Sequence, residues 1–364
     1  MDKQEELRSE AAEAVQHYAG KGFSRRSIVQ KIGLGVLAAP VVGSVLAACA
    51  SDEDPKSVSK EMAGKSGAGL KMLGTNGGLA ATWYAQGKVA METWAGAYGV
   101  KVDWVDGELN SQVQRDRLDD AAAQGKYDLA GIIANETGTI VQPVKKLIDS
   151  GTVVTQMVNR IAPEDGELDV LTFVEQSSYE MGFQVASALF EEAGGNGNVI
   201  ETQGPAAFTG AQERHRGFED ALKAYPGMKL LATDFGNWDV NRAQSLWESY
   251  LNKYPDIAVG YFHNDDMALA GLQAIKAAGR DGDVLIGGAD AMPPAVEAVL
   301  DGRMFATARH SSPRVHMYPV VIGVASKIGA IKKVPEKIIV EGPVVSKENA
   351  ESVLFLQDDS ILLA

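Results

Sequence analysis

Ile257-Ala258-Val259-Gly260-Tyr261-Phe262 runs directly into His263-Asn264-Asp265-Asp266-Met267-Ala268-Leu269-Ala270. The first six residues form a near-continuous apolar run, which predicts a strand buried on both faces. Asn264 is a helix-capping residue type, and the apolar periodicity after it predicts a helix over 265–278. A buried strand feeding a helix is the repeating half of a parallel α/β sheet covered on both sides.

The same pattern extends in both directions. Strand candidates begin at Leu70, Val100, Leu129, Val153 and Val170, and again at Asn198, Lys229, Val284, Phe305 and Ile338. Helices are predicted over 80–98, 111–124, 141–149, 178–193, 208–224, 240–252 and 314–330. Ser111, Ser177 and Asp290 are further capping types, with Pro293 suited to a first helical turn. Gly99, Gly125, Gly151 and Gly194 fall where a left-handed residue closes a helix. The βα rhythm runs twice, before and after about Glu175. The chain has 364 residues, and 316 remain after the first 48 are set aside. That exceeds what one hydrophobic core usually sustains, so two domains are expected.

In open parallel sheets ligands bind beyond the carboxyl ends of the strands. The residues at those ends are Asn76 and its glycines, Asn135-Glu136, Asn159-Arg160, the segment from Gly204, Phe235 to Trp238, Asn264-Asp265, Asp290 and His310. They are rich in Asn, Asp, Arg and Trp, which suits hydrogen bonding to hydroxyl groups. The five histidines are scattered and no His-x-x-His spacing occurs, so no metal or cofactor is expected. The net charge is −14, and residues 1–48 carry +1 of it, which leaves −15 on the remainder. Such a surface disfavours nucleic acid.

The amino-terminal segment decides the compartment. Ser24-Arg25-Arg26-Ser27-Ile28 precedes an apolar run, Ile32 to Ala48, that ends in Leu46-Ala47-Ala48-Cys49. The run is too short and too broken by Gly33, Gly35, Pro40 and Gly43 to span a membrane comfortably. It resembles a twin-arginine export signal (Arg25, Arg26) joined to a lipobox, with Ile28 replacing the usual phenylalanine. Cys49, the one cysteine of the chain, stands where bacterial lipoproteins carry their diacylglyceryl group. An exported, lipid-anchored protein without internal disulfides is expected. Residues 50–68 read as a flexible tether.

Three segments together resemble the ribose/galactose class of periplasmic binding proteins. Tyr261 to Ala270 is similar to the family's xNDxMAxG segment. Gln212-Glu213-Arg214-His215-Arg216-Gly217-Phe218 is similar to its xxRxxGF segment, and Ile286-Gly287-Gly288-Ala289-Asp290 to its VGFD strand end. The resemblance spans about Leu70 to Val345. It implies two doubly wound parallel-sheet domains of type I periplasmic binding topology, joined by three hinge crossovers near Glu175, His310 and Ile339.

The domains would be a signal over 1–48, a tether over 49–68, one lobe from 69–175 plus 311–338, and a second from 176–310 plus 339–364. The implied ligand is a neutral monosaccharide or polyol, and the implied partners are the permease and ATPase of an ABC importer. Carried over by position, the ligand-binding residues are Trp83, Tyr84, Asn159, Arg160, Arg214, Trp238, Asn264, Asp290 and His310. The chain departs from the family at Ala81, where asparagine is usual, at Gly77-Gly78 in a longer first loop, and at Asn159, which replaces aspartate. These departures point away from ribose to a ligand of different stereochemistry.

Plainer roles stand beside these. Asn264 and Asp290 also read as helix caps, Asn159 as a turn former, His310 as a buried histidine, Arg214 as a salt-bridge partner and Trp238 as core. Trp94 and Trp247 lie within helical periodicity and read as packing residues. An exported hydrolase would need paired carboxylates or an activated nucleophile, and neither is visible. A repressor of the same fold would need a basic helix-turn-helix where the export signal lies. A sensory binding protein that presents its ligand to a chemoreceptor or kinase is the alternative that the sequence leaves open.

Overall fold

Apolar strands alternate with amphipathic helices along the chain, and they assemble into two separate sheets. The computed structural model describes residues 62, 66–164 and 166–358. The export signal with Arg25 and Arg26, and Cys49, lie outside the described residues.

The first sheet contains β1 (Lys71–Asn76), β2 (Lys101–Asp106), β3 (Leu129–Ile132), β4 (Val153–Met157), β5 (Thr172–Glu175) and β11 (Lys337–Ile339), in the order β11-β5-β4-β3-β1-β2. All its pairings are parallel. The second contains β6 (Asn196–Gln203), β7 (Gly227–Phe235), β8 (Ile257–Phe262), β9 (Leu285–Asp290), β10 (Ala306–Arg309) and β12 (Val344–Val345), in the order β12-β10-β9-β8-β6-β7. Only β12 runs antiparallel to its neighbour. In each sheet the first strand lies between the second and third, so the winding direction reverses beside β1 and beside β6. A crevice opens at such a switch point, at the carboxyl ends of the strands.

The helices are α1 (Thr82–Tyr98), α2 (Ser111–Ala123), α3 (Val141–Asp149), α4 (Ser178–Glu192), α5 (Thr209–Ala224), α6 (Val240–Lys253), α7 (Asp265–Ala277), α8 (Pro293–Leu300), α9 (Ser312–Lys327) and α10 (Ala350–Asp358). The chain passes between the sheets three times: from β5 to α4, from β10 to α9, and from β11 to β12. Helix α9 follows a strand of the second sheet but packs on α1, β3 and β4 of the first. The apolar run expected as one strand from Ile338 is divided. Lys337–Ile339 pairs with β5, Val344–Val345 pairs with β10, and Val340 to Pro343 carries the third crossing.

One cluster of buried side chains joins Leu73, Leu118, Ile132 and Val144 under α2 and α3. Another joins Phe190, Val199, Phe218 and Tyr261 under α4 and α5. The third is continuous between the lobes. It runs from Trp94 and Val321 through Trp83, Phe208 and Trp238 to Trp247 and Val296. Trp94 and Trp247 are buried core residues. Packing starts before residue 69: Met62 is buried and the Gly67 N–H donates to the Tyr98 carbonyl at 2.9 Å.

Two capping expectations move. Asn110, not Ser111, caps α2 by accepting from the N–H groups of Gln112 and Val113. Asp290 ends β9 and caps no helix; α8 begins after Met292 with Pro293 in its first turn. The carboxylate of Asp290 is therefore left for the crevice.

Candidate functional site

Both switch points open on one cavity between the lobes, with about 350 Å³ of atom-free space. The first lobe contributes Trp83 and Tyr84 from the opening turn of α1, with Ala81 before them and Val158 after β4. The second contributes Phe208 and Arg214 at α5, Trp238 after β7, Asn264 after β8 and Asp290 at the end of β9. His310 comes from the crossover that follows β10.

The aromatic walls are held from behind. Trp83 and Tyr84 meet edge to face, with centroids 5.5 Å apart. The Trp83 indole N–H donates to the His310 carbonyl at 2.7 Å, and the two rings lie 4.3 Å apart. Asn76 fixes the same turn by donating from Nδ2 to the Tyr84 carbonyl at 2.9 Å. Opposite them, Trp238 and Phe208 pack edge to face at 5.6 Å. The Trp238 ring lies against Gly204, where a β-carbon would come within 2.1 Å of it. Gly77 gives the Tyr84 ring the same clearance, at 2.4 Å.

The backbone around the cavity is strained. Val158 (φ 57°), Asn237 (58°), Trp238 (61°), Asp290 (112°) and Ala291 (51°) all adopt positive φ without being glycine. Each such residue costs on the order of 1–3 kcal/mol and persists only where its surroundings over-determine it.

The polar side of the cavity is built around Arg214. Its Nη1 donates to the His263 carbonyl, its Nη2 lies 3.8 Å from Asp290 Oδ1, and the guanidinium sits 5.6 Å from the centre of the Trp238 ring. His310 Nδ1 lies 3.3 Å from the same carboxylate oxygen. Burial, reinforced by Arg214, holds His310 well below the usual histidine range and so neutral. Burial pushes the Asp290 carboxyl up, and Arg214 opposes that shift. Burial also pushes up the Tyr84 hydroxyl, which keeps it protonated. Among the described residues, Arg214 Nε and His310 Nε2 are buried without hydrogen-bond partners. Such atoms cost about 1–3 kcal/mol each unless a bound group pairs them. Asn264 uses Oδ1 to cap α7 through the Met267 N–H at 3.0 Å, which leaves its amide nitrogen for the cavity.

A second layer sets this geometry. His263 Nε2 meets Glu201 Oε1 at 2.9 Å, and its Nδ1 accepts from the Gly204 N–H at 3.2 Å. That arrangement fixes the His263 tautomer and ties the Gly204 backbone beneath Trp238. Burial disfavours the Glu201 charge, but hydrogen bonds from His215 and His263 override it and hold the carboxyl at about 2.

The structure thus gathers Trp83, Tyr84, Arg214, Trp238, Asn264, Asp290 and His310 around one space. Asn159 and Arg160 lie outside its wall. Asn159 is fully buried and donates to the Ala134 carbonyl at 2.8 Å, while its Oδ1 accepts from the Thr209 N–H and hydroxyl at 2.9 and 2.7 Å. The Arg160 guanidinium sits 5.7 Å from the centre of the Phe173 ring. Ala81, the position where the family has asparagine, also lines the cavity, together with Val158 and Phe208, which belong to none of the motifs that named the other site residues. Phe208 is the N-cap of α5 and not part of the helix predicted over 208–224, and Pro205 shortly before it marks the loop that carries this aromatic into the crevice.

Comparison with known proteins supplies the lineage. Residues 75–318 match the family described as periplasmic binding protein domain. The D-ribose/D-allose-binding protein of Pseudomonas aeruginosa is 29% identical over 219 residues, covering 60% of this chain and 68% of that protein. The xylitol-binding protein of Mycolicibacterium smegmatis is 26% identical over 282 residues, covering 77% and 76%. The crystal structure of a galactofuranose-binding protein superposes with a TM-score of 0.74 at 23% identity, covering 80% of this chain and 99% of that one. With two sheets of the same winding, three crossings and a cavity at the paired switch points, the chain belongs to the periplasmic binding protein family of the type I, ribose/galactose-like class.

Proposed function

We propose that the protein is the extracytoplasmic binding component of an ABC importer. It takes one neutral monosaccharide or polyol between its lobes and delivers it to the permease. The observation that carries this reading is a cavity with aromatic walls from both lobes whose opposed charges, Arg214 and Asp290, offset each other. A neutral ligand with apolar C–H faces and a hydroxyl rim suits that wall. Aromatic rings cover the faces, and Arg214, Asp290, Asn264 and His310 pair the hydroxyls. The names of the relatives, which bind ribose or allose, xylitol and galactofuranose, agree in ligand class and differ in stereochemistry.

Cys49 anchors the exported chain to the membrane by a lipid, and Arg25 with Arg26 directs it to the twin-arginine route. A thermal-shift panel tests the ligand class. A neutral sugar or polyol should stabilise the native state by about 2.7 kcal/mol at a hundredfold excess over Kd. A shift with branched-chain amino acids and none with sugars would refute it.

A further inference from the structure

Helices α1 and α5 open on the cavity from opposite lobes, and neither has a cap of its own. Their N-cap residues are Ala81 and Phe208, and no side chain there accepts a hydrogen bond. The first N–H groups of a helix have no partner within it. In both helices the first residue is a threonine, and in both the missing acceptor comes from the other lobe. The Thr82 N–H and hydroxyl donate to Asp266 Oδ2 and Oδ1, at 3.0 and 2.8 Å, and Asp266 lies on α7 of the second lobe. The Thr209 N–H and hydroxyl donate to Oδ1 of Asn159, which follows β4 of the first lobe. Neither acceptor side chain lines the cavity.

We propose that Asp266 and Asn159 form a reciprocal latch, each supplying from its own lobe the helix cap that the opposite lobe lacks, and so act as positioning residues for the closed state. A ligand that contacts both lobes binds the closed form, so its apparent affinity scales with the closed fraction. The latch raises that fraction without discriminating among ligands. The latch rests on the proposed function only in that the lobes open and close about the cavity.

Hydrogen exchange of the full chain without any ligand tests the latch, so its outcome is independent of which sugar binds. Because the amides of Thr82 and Thr209 are first-turn donors, their protection reports the interlobe bonds. Both should be protected in the parent. Asp266→Ala should abolish protection at Thr82 and also lower it at Thr209 by about tenfold, because opening the lobes breaks both bonds together. The Val259 amide, in the core strand β8, serves as the control for intact folding. Asp266→Asn keeps an oxygen for the N–H and gains a donor for the threonine hydroxyl, so it should retain protection at both threonines. Lack of protection in the parent, or unchanged protection of Thr209 in Asp266→Ala, would overturn the proposal.

Discussion

Replacing Arg214 with methionine should weaken binding and folding through separable causes. Arg214 and Asp290 are both buried, 3.8 Å apart, in a site where His310 is neutral. Removing the guanidinium leaves a carboxylate without its cation, and breaking a buried pair in this way typically costs about 3–5 kcal/mol. Asp290 can reduce that cost by taking a proton, since burial already raises its pKa above the ordinary aspartate value. A raised folded pKa means that the unfolded chain releases this proton first, so stability falls as pH rises above about 4. Without Arg214 to oppose the shift, the fall should extend to higher pH. Denaturant melts of Arg214→Met at pH 5 and pH 8 should therefore show the larger deficit at pH 8. Adding Asp290→Asn removes the orphaned charge and should restore most of the stability. It should not restore binding, because each charged hydrogen bond to a ligand hydroxyl is worth about 1.5–3 kcal/mol, roughly tenfold to a hundredfold in Kd. Equal deficits at the two pH values, together with no rescue of stability in the double variant, would refute the reasoning.

Other outcomes follow from the same structure. Trp94→Ala should cost about 3–5 kcal/mol in denaturant melts, since Trp94 is 1% exposed in the interlobe core cluster; the folded fraction should still bind sugar. Glu201 has its carboxyl held at about 2 against 4.5 in the unfolded chain, so it contributes stability above pH 4.5 that is lost as pH falls toward 2, on the order of 3 kcal/mol. Glu201→Gln should flatten that part of the acid denaturation curve. Cys49→Ala should shift the protein from the membrane to the soluble fraction on cell fractionation, and replacing Arg25 and Arg26 by lysine should leave folded precursor in the cytoplasm.

The alternation of elements was legible because it rests on local pattern. The run Ile257–Phe262 is apolar throughout and is a strand, and Asn264 caps the helix after it. The aromatic and charged wall was legible through motifs near strand ends and helix starts, as at Trp238, Arg214 and Asp290. What stayed hidden depends on contacts between distant segments. Asn159 sits at a strand end like a ligand-binding residue, but Thr209 of the other lobe occupies its oxygen. Asp266 looks like an ordinary acidic residue in a helix's first turn until α1 is brought against it. The division of the run from Ile338 is invisible to periodicity, because both halves are apolar and only the crossing assigns them to different sheets.

Calorimetric titration of the purified protein with the best sugar or polyol from the thermal-shift panel, beside the same titration of Trp238→Ala, tests the central claim most directly. The account predicts one site per chain in the parent and a loss of at least tenfold in affinity in the variant, since Trp238 is an aromatic wall of the cavity. Binding to Trp238→Ala at the parent's affinity, with its fold intact by melting, would place the ligand elsewhere and contradict the account.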